Sequence, residues 1–367
     1  MAEAQPTKKQ FLNYINVFRG LAILLIIMGH TMQIGANSSL THKIVCEIVC
    51  GGTALFIFIS GFLFQHLSHK FEYKNYLLKK WTNVIMPYLF TSIPGLILCL
   101  LCPLAYKNTF DGLNIWIQVP MHLSIGRVHN IPTWFIPMIA IFFILSFLLL
   151  KLEKKGWLYK TLPFLFLITI FVPRGVAEYE NLVGLSYLTR YFAYVIYILS
   201  GFVHFLALYV FGMFCSNNKN VIDIFYNKRA YLWIGMILTS ALDIYLSYKQ
   251  MYCNYTISKT FLTMLLLGYL KHLDEFILSH KKTNAILDFI AKYSFGLFFV
   301  HWYWFFGYNQ YFNIENVITE TSLFESILTV SVRFLTVSLL SVISLFVVKF
   351  IILKLNKDAN TRKFLGI

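Results

Sequence analysis

Runs of about 17 to 23 apolar residues recur along the whole chain, separated by short polar stretches. That length matches what an α-helix needs to cross the hydrocarbon core of a bilayer. Ten such runs are read as membrane spans, TM1 to TM10: 15–34, 44–65, 84–105, 133–150, 161–173, 191–214, 231–248, 257–272, 286–306 and 323–353. The fifth, TLPFLFLITIFVP, is short, and the tenth is long enough to tilt or to project beyond the bilayer. A transmembrane barrel would show alternating segments of about ten residues instead. The expected fold class is therefore all-α, a polytopic membrane protein of about ten spans.

Composition agrees with the pattern. The 367 residues are 58% hydrophobic and only 13% charged, about half the charged fraction of a soluble domain. Lys and Arg divide unequally between the connections. Twenty-one lie in the set formed by the N-terminus, 66–83, 151–160, 215–230, 271–285 and the tail, and six in the alternate set. This asymmetry puts both termini in the cytoplasm. Lys259, Lys292, Arg333 and Lys349 fall inside spans or at their ends. The net charge of +15 is spread over short loops and is not gathered in one soluble module, which excludes nucleic acid as a partner. TM1 is too long for a cleavable signal peptide and is followed by further spans. Without long linkers or repeats, the chain reads as one membrane domain, 1–367, with a cytoplasmic segment 1–14 and a cytoplasmic tail 354–367. The stretch LNIWIQVPMHL in the outer connection 106–132 is expected to lie along the interface. Cys46 and Cys50, and Cys99 and Cys102, are spaced as pairs but lack a histidine or carboxylate cluster of zinc spacing. They are read as packing residues, and no metal is expected.

Any chemistry must then come from residues in spans or short loops. YINVFRGLAILLIIMGH opens TM1 with Arg19 and His30 eleven residues apart. Eleven residues make three turns plus roughly 20°, so both groups share one face, about 16 Å apart along the axis. Ionisable groups inside a span usually face a polar interior. Arg19 has two readings: an anchor that snorkels to headgroups, or a fork for phosphate. His30 is either an interfacial histidine or a proton acceptor near neutral pH. In TM2, GGTALFIFISGFLF carries Gly51, Gly52 and Ser60, small residues that usually serve packing. The loop YKNYLLKKWTNVIMPY offers Lys79 and Lys80 to anionic phosphates or to anionic lipid. HNIPTWFIPM places Trp134 at an outer edge, and KYSFGLFFVHW places Ser294 and His301 in TM9. Tryptophans 116, 134, 302 and 304 could stack on sugars or anchor the interface.

Taken in order, these segments resemble the acyltransferase 3 family of integral-membrane acyltransferases. The elements are R-x10-H in TM1, GG…FxFxSGF in TM2, a basic loop into PY, a WF-P span start and a late YSxGLxxxH. Within the family the closest likeness is to bacterial surface-polysaccharide O-acetyltransferases of the fucose 4-O-acetylase type. The resemblance implies transfer of an acyl group, acetyl by expectation, from cytoplasmic acyl-CoA to a hydroxyl of a cell-envelope sugar, in the plasma (bacterial inner) membrane. It makes His30 the general base, Arg19 a donor-binding or site-ordering residue, and Lys79 and Lys80 contacts to the donor's phosphates. Asn83 stands where the family has a second basic residue. Ser60, Trp134, Ser294 and His301 become site-lining candidates. Acyl-CoA enters as donor substrate, no cofactor is bound, and lipid and an envelope carbohydrate are the other partners. Two other classes compete: a multi-span transporter or flippase of a sugar or anionic substrate, and a structural or sensory membrane protein. A transporter would be expected to show pseudo-symmetric halves, and none is detectable.

Overall fold

The computed structural model describes residues 12–34, 39–104, 106–128, 131–172, 179–251, 254–312 and 323–367. Residues 1–11, His129, Asn130 and Cys253 lie outside them. Each predicted span corresponds to a helical segment: TM1 Asn13–Thr31, TM2 Leu40–His66, TM3 Tyr73–Leu101, TM4 Phe135–Lys154, TM5 Leu158–Phe171, TM6 Tyr187–Asn217, TM7 Arg229–Tyr248, TM8 Tyr255–His272, TM9 Lys281–Phe312 and TM10 Leu323–Leu355. Eight of them are long and apolar enough to cross a membrane; TM5 is shorter, and TM8 is more polar. The chain is an all-α, multi-pass membrane protein. Among the described residues the only strands are Arg127–Val128 and Ile131–Pro132, an antiparallel pair in the register Arg127↔Pro132.

Several spans are interrupted, each for an identifiable reason. TM2 breaks at Cys50–Gly51 into two helices. Gly51 adopts φ +89°, and a Cβ there would meet the Lys259 side chain at 2.6 Å. A Cβ on Gly52 would meet the backbone nitrogen of Ile26 at 2.8 Å. The glycine pair thus lets TM8 and TM1 close on the same point of TM2. In TM3, residues Trp81–Ile85 form a π turn, and Pro94 lies within the following helix. The Tyr303 hydroxyl from TM9 bridges the ladder there, donating to the Thr91 carbonyl (2.8 Å) and accepting from the Gly95 N–H (3.1 Å). An inserted polar group that satisfies freed backbone atoms is how a proline-containing span stays paired in lipid.

TM2 and TM6 cross at a reciprocal pair of glycines. A Cβ at Gly61 would come 2.0 Å from the Tyr209 carbonyl oxygen, and one at Gly212 2.1 Å from that of Phe58. Backbone contact of this kind replaces the hydrophobic effect as the force between helices in lipid. Around it Phe58, Phe62, Phe142 and Tyr209 form the buried aromatic core.

TM8 is the polar member of the bundle because its polar face is inside. Lys259 is 5% exposed and Glu47 of TM2 is 2% exposed. The Lys259 ammonium donates to the Glu47 main-chain carbonyl. The Glu47 carboxylate accepts from Ser258 (2.5 Å) and from Ser240 of TM7 (2.8 Å). Beside it, Asp243 accepts from the Asn254 backbone N–H (2.6 Å), and Asn254 donates to the Thr169 carbonyl (2.7 Å). The Thr256 hydroxyl lies 2.7 Å from Nε2 of His204, whose Nδ1 faces the Val172 carbonyl at 3.1 Å. TM2, TM5, TM6, TM7 and TM8 are joined by this network.

The stretch expected along the interface forms the helix Ile115–Ile125, with its polar side turned into the protein. Trp116 is 83% exposed, whereas Gln118 and His122 are buried. Asn108 donates to Gln118 at 3.0 Å and lies 2.9 Å from His122. The apolar side faces out because the polar side has partners only inside.

One end of the bundle collects the beginning of TM1 and the residues after TM10. Asn13 donates to Asp274 (3.0 Å) and Asn16 to Asp288 (2.8 Å). Residues 356–367 fold back, with Phe364 against Phe90 of TM3 (5.4 Å between rings) and Leu365 in the core. Replacing Gly61 or Gly212 by leucine is expected to abolish folded yield or lower the unfolding temperature sharply, since overpacking costs about 1–3 kcal/mol even where neighbours can move. Gly307→Ala, where a Cβ meets nothing within 4 Å, should be neutral in the same thermal-unfolding assay.

Candidate active site

His30 occupies the last turn of TM1, half-buried. Gly29 before it lets TM1 approach the break in TM2, since a Cβ there would lie 3.1 Å from the Val49 carbonyl oxygen. The His30 ring faces TM9. It stacks on His301 with centroids 5.5 Å apart, meets Trp302 edge-on at 4.8 Å and lies 6.4 Å from Phe305. The segment HWYWF, 301–305, is fully assigned. His301 and Trp302 flank His30, Tyr303 inserts into TM3, Trp304 donates to Ser344 of TM10 (2.8 Å), and Phe305 lies under Arg333.

His301 is 2% exposed. Its Nδ1 lies 2.9 Å from the Leu297 carbonyl. A carbonyl only accepts, so Nδ1 carries the hydrogen and Nε2 of the neutral ring is an acceptor. That Nε2 and the Trp302 indole N–H are buried without a hydrogen-bond partner in the protein. One unmet acceptor and one unmet donor thus belong to the two residues against His30. Other buried atoms of the bundle are unmet too, Gln65 Oε1 and Asn284 Oδ1 among them; what singles out this pair is its place against the His30 ring.

Arg333 of TM10 closes the site from the other side. It is 4% exposed. Its Nε donates to the Thr31 carbonyl (2.7 Å), Nη2 to the Gln33 carbonyl (3.2 Å) and Nη1 to Asn309 (3.1 Å). The last carbonyls of a helix are unpaired by geometry and carry its negative pole. Arg333 caps TM1 one residue beyond His30 and thereby fixes the histidine's height.

Arg19 sits three turns away at the end where TM1 begins. Its Nη2 donates to Asn16 (2.9 Å), and its Nε is buried without a partner. The two lysines of TM3 part company. Lys80 is half-buried, with its ammonium over the rings of Phe143 (4.7 Å) and Tyr76 (5.2 Å), whereas Lys79 is exposed. The tail helix Arg362–Leu365 packs on the π turn that follows Lys80, which brings Arg362, a residue outside the set named from the sequence, to the same end of the bundle.

The remaining candidates fall into packing positions. The Ser60 hydroxyl donates to the Phe56 carbonyl of its own helix (2.8 Å). Ser294 is buried two turns before His301 on the same face of TM9. Trp134 packs with Phe135, Tyr197 and Phe205. Its ring contacts extend to His301 through Phe135 and Phe298. Arg333, Glu47, Lys259 and Asp243 were also absent from the sequence-named set. The signal that could have found them is an ionisable residue inside a span, by default a partner or a functional group.

Fold and site together define a multi-pass membrane protein with a titratable, aromatic-walled centre inside the bundle and a surplus of cations at one end. Residues 12–353 match the model of an acyltransferase domain, and the chain belongs to the acyltransferase 3 family of membrane acyltransferases. No curated protein and no solved structure matches it. Arg333→Met should destabilise the protein by about 2–3 kcal/mol, the scale of hydrogen bonds to a charged group. Thermal unfolding in detergent checks this, and Arg333→Lys should recover only part of the loss because an ammonium cannot span both carbonyls.

Proposed function

We propose that this acyltransferase moves an acyl group, acetyl by first choice, from acyl-CoA to a hydroxyl of a cell-envelope sugar or polysaccharide, with His30 as general base. The observation that carries the reading is the pair of unmet polar atoms beside the His30 ring, His301 Nε2 and Trp302 Nε1. Acceptor and donor groups held ready next to an imidazole suit a reaction that moves a proton while an oxyanion develops.

The steps balance as follows. The acceptor hydroxyl gives its proton to His30 as its oxygen attacks the thioester carbonyl. A C–O bond forms, and the carbonyl oxygen becomes an oxyanion within reach of an N–H donor, the role assigned to Trp302. Collapse restores the carbonyl, breaks the C–S bond and expels CoA thiolate, which takes the proton from the His30 imidazolium. His301 supports the imidazole by stacking on it, and its acceptor nitrogen is left open to the substrate hydroxyl. Cys46 lies 3.2 Å from Nε2 of His42 within TM2, Ser258 is held by the Glu47 carboxylate and Ser60 is committed to its own helix, whereas the aromatic partners of the His30 ring, His301, Trp302 and Phe305, carry neither a hydroxyl nor a thiol. Direct transfer is therefore preferred to an acyl-enzyme.

The donor is read as entering from the basic end, taken as cytoplasmic from the Lys and Arg distribution. Its phosphates meet Arg19 and Lys80, and its pantetheine arm crosses the roughly 16 Å of helix rise to His30. The acceptor approaches from the other side of the plasma membrane. Acyl transfer then crosses the bilayer without a soluble carrier.

Purified protein in liposomes, given labelled acetyl-CoA and mixed envelope glycans, tests the reading. His30→Ala should lower turnover at least about a hundredfold, the usual scale of general-base loss, with CoA binding kept. Full activity in that variant would remove His30 from the mechanism. Trp302→Phe keeps the ring and deletes the N–H. It should lower kcat by about a hundredfold and leave the KM for the donor unchanged.

A further inference from the structure

The residues beyond TM10 do not hang free. Leu365 is buried in a core cluster with Leu297 of TM9 and Leu345 of TM10. Phe364 meets Phe90, and a Cβ on Gly296 would lie 2.8 Å from the Ile367 side chain and 3.0 Å from the Leu365 carbonyl oxygen. Gly366 has φ +72°, and a Cβ there would come 2.5 Å from the Phe295 ring. The segment is thereby wedged between TM3 and TM9. Gly296 precedes His301 by five residues on one helix, about 7.5 Å of rise. The tail therefore reaches from the basic end to within two turns of the histidine pair.

While Leu365 is buried, Arg362 stays exposed. The short helix that carries it, Arg362–Leu365, packs on the π turn that begins beside Lys80, and Leu365 shares its core cluster with Ile23, one turn beyond Arg19. Among the described residues none of these three cations has a carboxylate in salt-bridge contact. The acid whose charge acts on Arg19 is Asp288, which already accepts from Asn16. Arg19 adds a buried Nε without a partner. Three cations from distant parts of the chain thus gather at one end of the bundle without a carboxylate in contact, an arrangement suited to a polyanion.

We propose that the tail is a working part of the donor site: Arg362 joins Arg19 and Lys80 in binding phosphate, and the segment 364–367 forms a wall of the path from that cradle to His30. This rests on the reading of acyl-CoA as donor. The shared ligand chemistry is phosphate, which a lipid headgroup also carries. Arg362 is held on a segment folded into the bundle, whereas the outward cations on TM3 are Lys74 and Lys79. That placement favours the soluble donor.

The experiment measures binding of CoA, dephospho-CoA and pantetheine to the full chain in neutral-lipid nanodiscs, with KM values for acetyl-CoA and acetyl-pantetheine. Wild type is compared with Arg362→Ala, Arg362→Lys and the charge control Lys357→Ala, an exposed tail position. Arg362→Ala should weaken CoA about tenfold, in line with loss of one charge-assisted contact. It should raise the KM for acetyl-CoA to match and leave acetyl-pantetheine untouched. Arg362→Lys should restore most of the affinity, and Lys357→Ala should resemble wild type. Wild-type CoA affinity in Arg362→Ala overturns the proposal while the donor reading stands. Higher activity in Arg362→Ala also overturns it, since the tail would then be an inhibitory plug. A loss seen only as weaker binding to phosphatidylglycerol nanodiscs assigns Arg362 to lipid and overturns it too. If wild type binds no CoA, the donor reading itself fails and the proposal falls with it.

Discussion

Lys259 has no water to turn to where it lies, and its one strong acceptor is the main-chain carbonyl of Glu47. That carbonyl is available because TM2 stops being helical at Cys50, leaving the last carbonyls of its first helix without internal partners. The cation therefore requires the break, and the break requires the cation. Gly51 allows both, because its left-handed backbone and missing side chain make room for the lysine stem. TM1 packs on the same point through Gly29, so the position of His30 follows from how TM2 is interrupted. Burying a charged group is costly unless its partners are good; here the partners are also the parts that shape the centre.

Seen from His30, the bundle has two kinds of polar group. Those of TM2, TM7 and TM8 bond chiefly to one another, as do Arg333 and the carbonyls at the end of TM1. They hold the helices in register. His301 Nε2 and Trp302 Nε1 are unmet and stand against the His30 ring. Unmet atoms also occur in the scaffold, Glu47 Oε2 among them, so position beside a titratable ring is what marks this pair. Membership of the acyltransferase 3 family gives the protein its reaction class.

The helical segments were legible, eight of them long and apolar enough to cross a membrane, because hydrocarbon imposes a length and an apolar composition on any helix that crosses it, and R-x10-H was legible because helical phase is simple arithmetic. What stayed hidden depends on pairs far apart in the chain. Nothing local marks Glu47 and Lys259 as neighbours, since 212 residues separate them. Apolarity alone also reads TM2 as one span, 44–65, where the structure has two helices. In the stretch 113–123 the amphipathic pattern marked two faces, but not that the polar one has Asn108 behind it. Lys79 and Lys80 looked equivalent because adjacent residues differ only in phase, and phase was what the π turn altered. Arg362 sat in a tail with no hydropathy signal, though Leu365 and Phe364 beside it were apolar enough to anchor it.

That π turn at Trp81–Ile85 bears on how this chain could have changed over time. A π turn is an α-helix carrying one surplus residue. Losing one residue here would leave the backbone ladder intact and regular, so an ordinary folding penalty would be small. The two halves of TM3 would nevertheless rotate against each other by about 100°. Either Lys80 would leave the rings of Tyr76 and Phe143, or Tyr88 would leave the Leu123 carbonyl that its hydroxyl now reaches at 2.7 Å. The extra residue works as a phase shifter, letting one helix face the basic end with one side and the bundle core with another. A regular TM3 would be the better helix and could satisfy only one of those two demands.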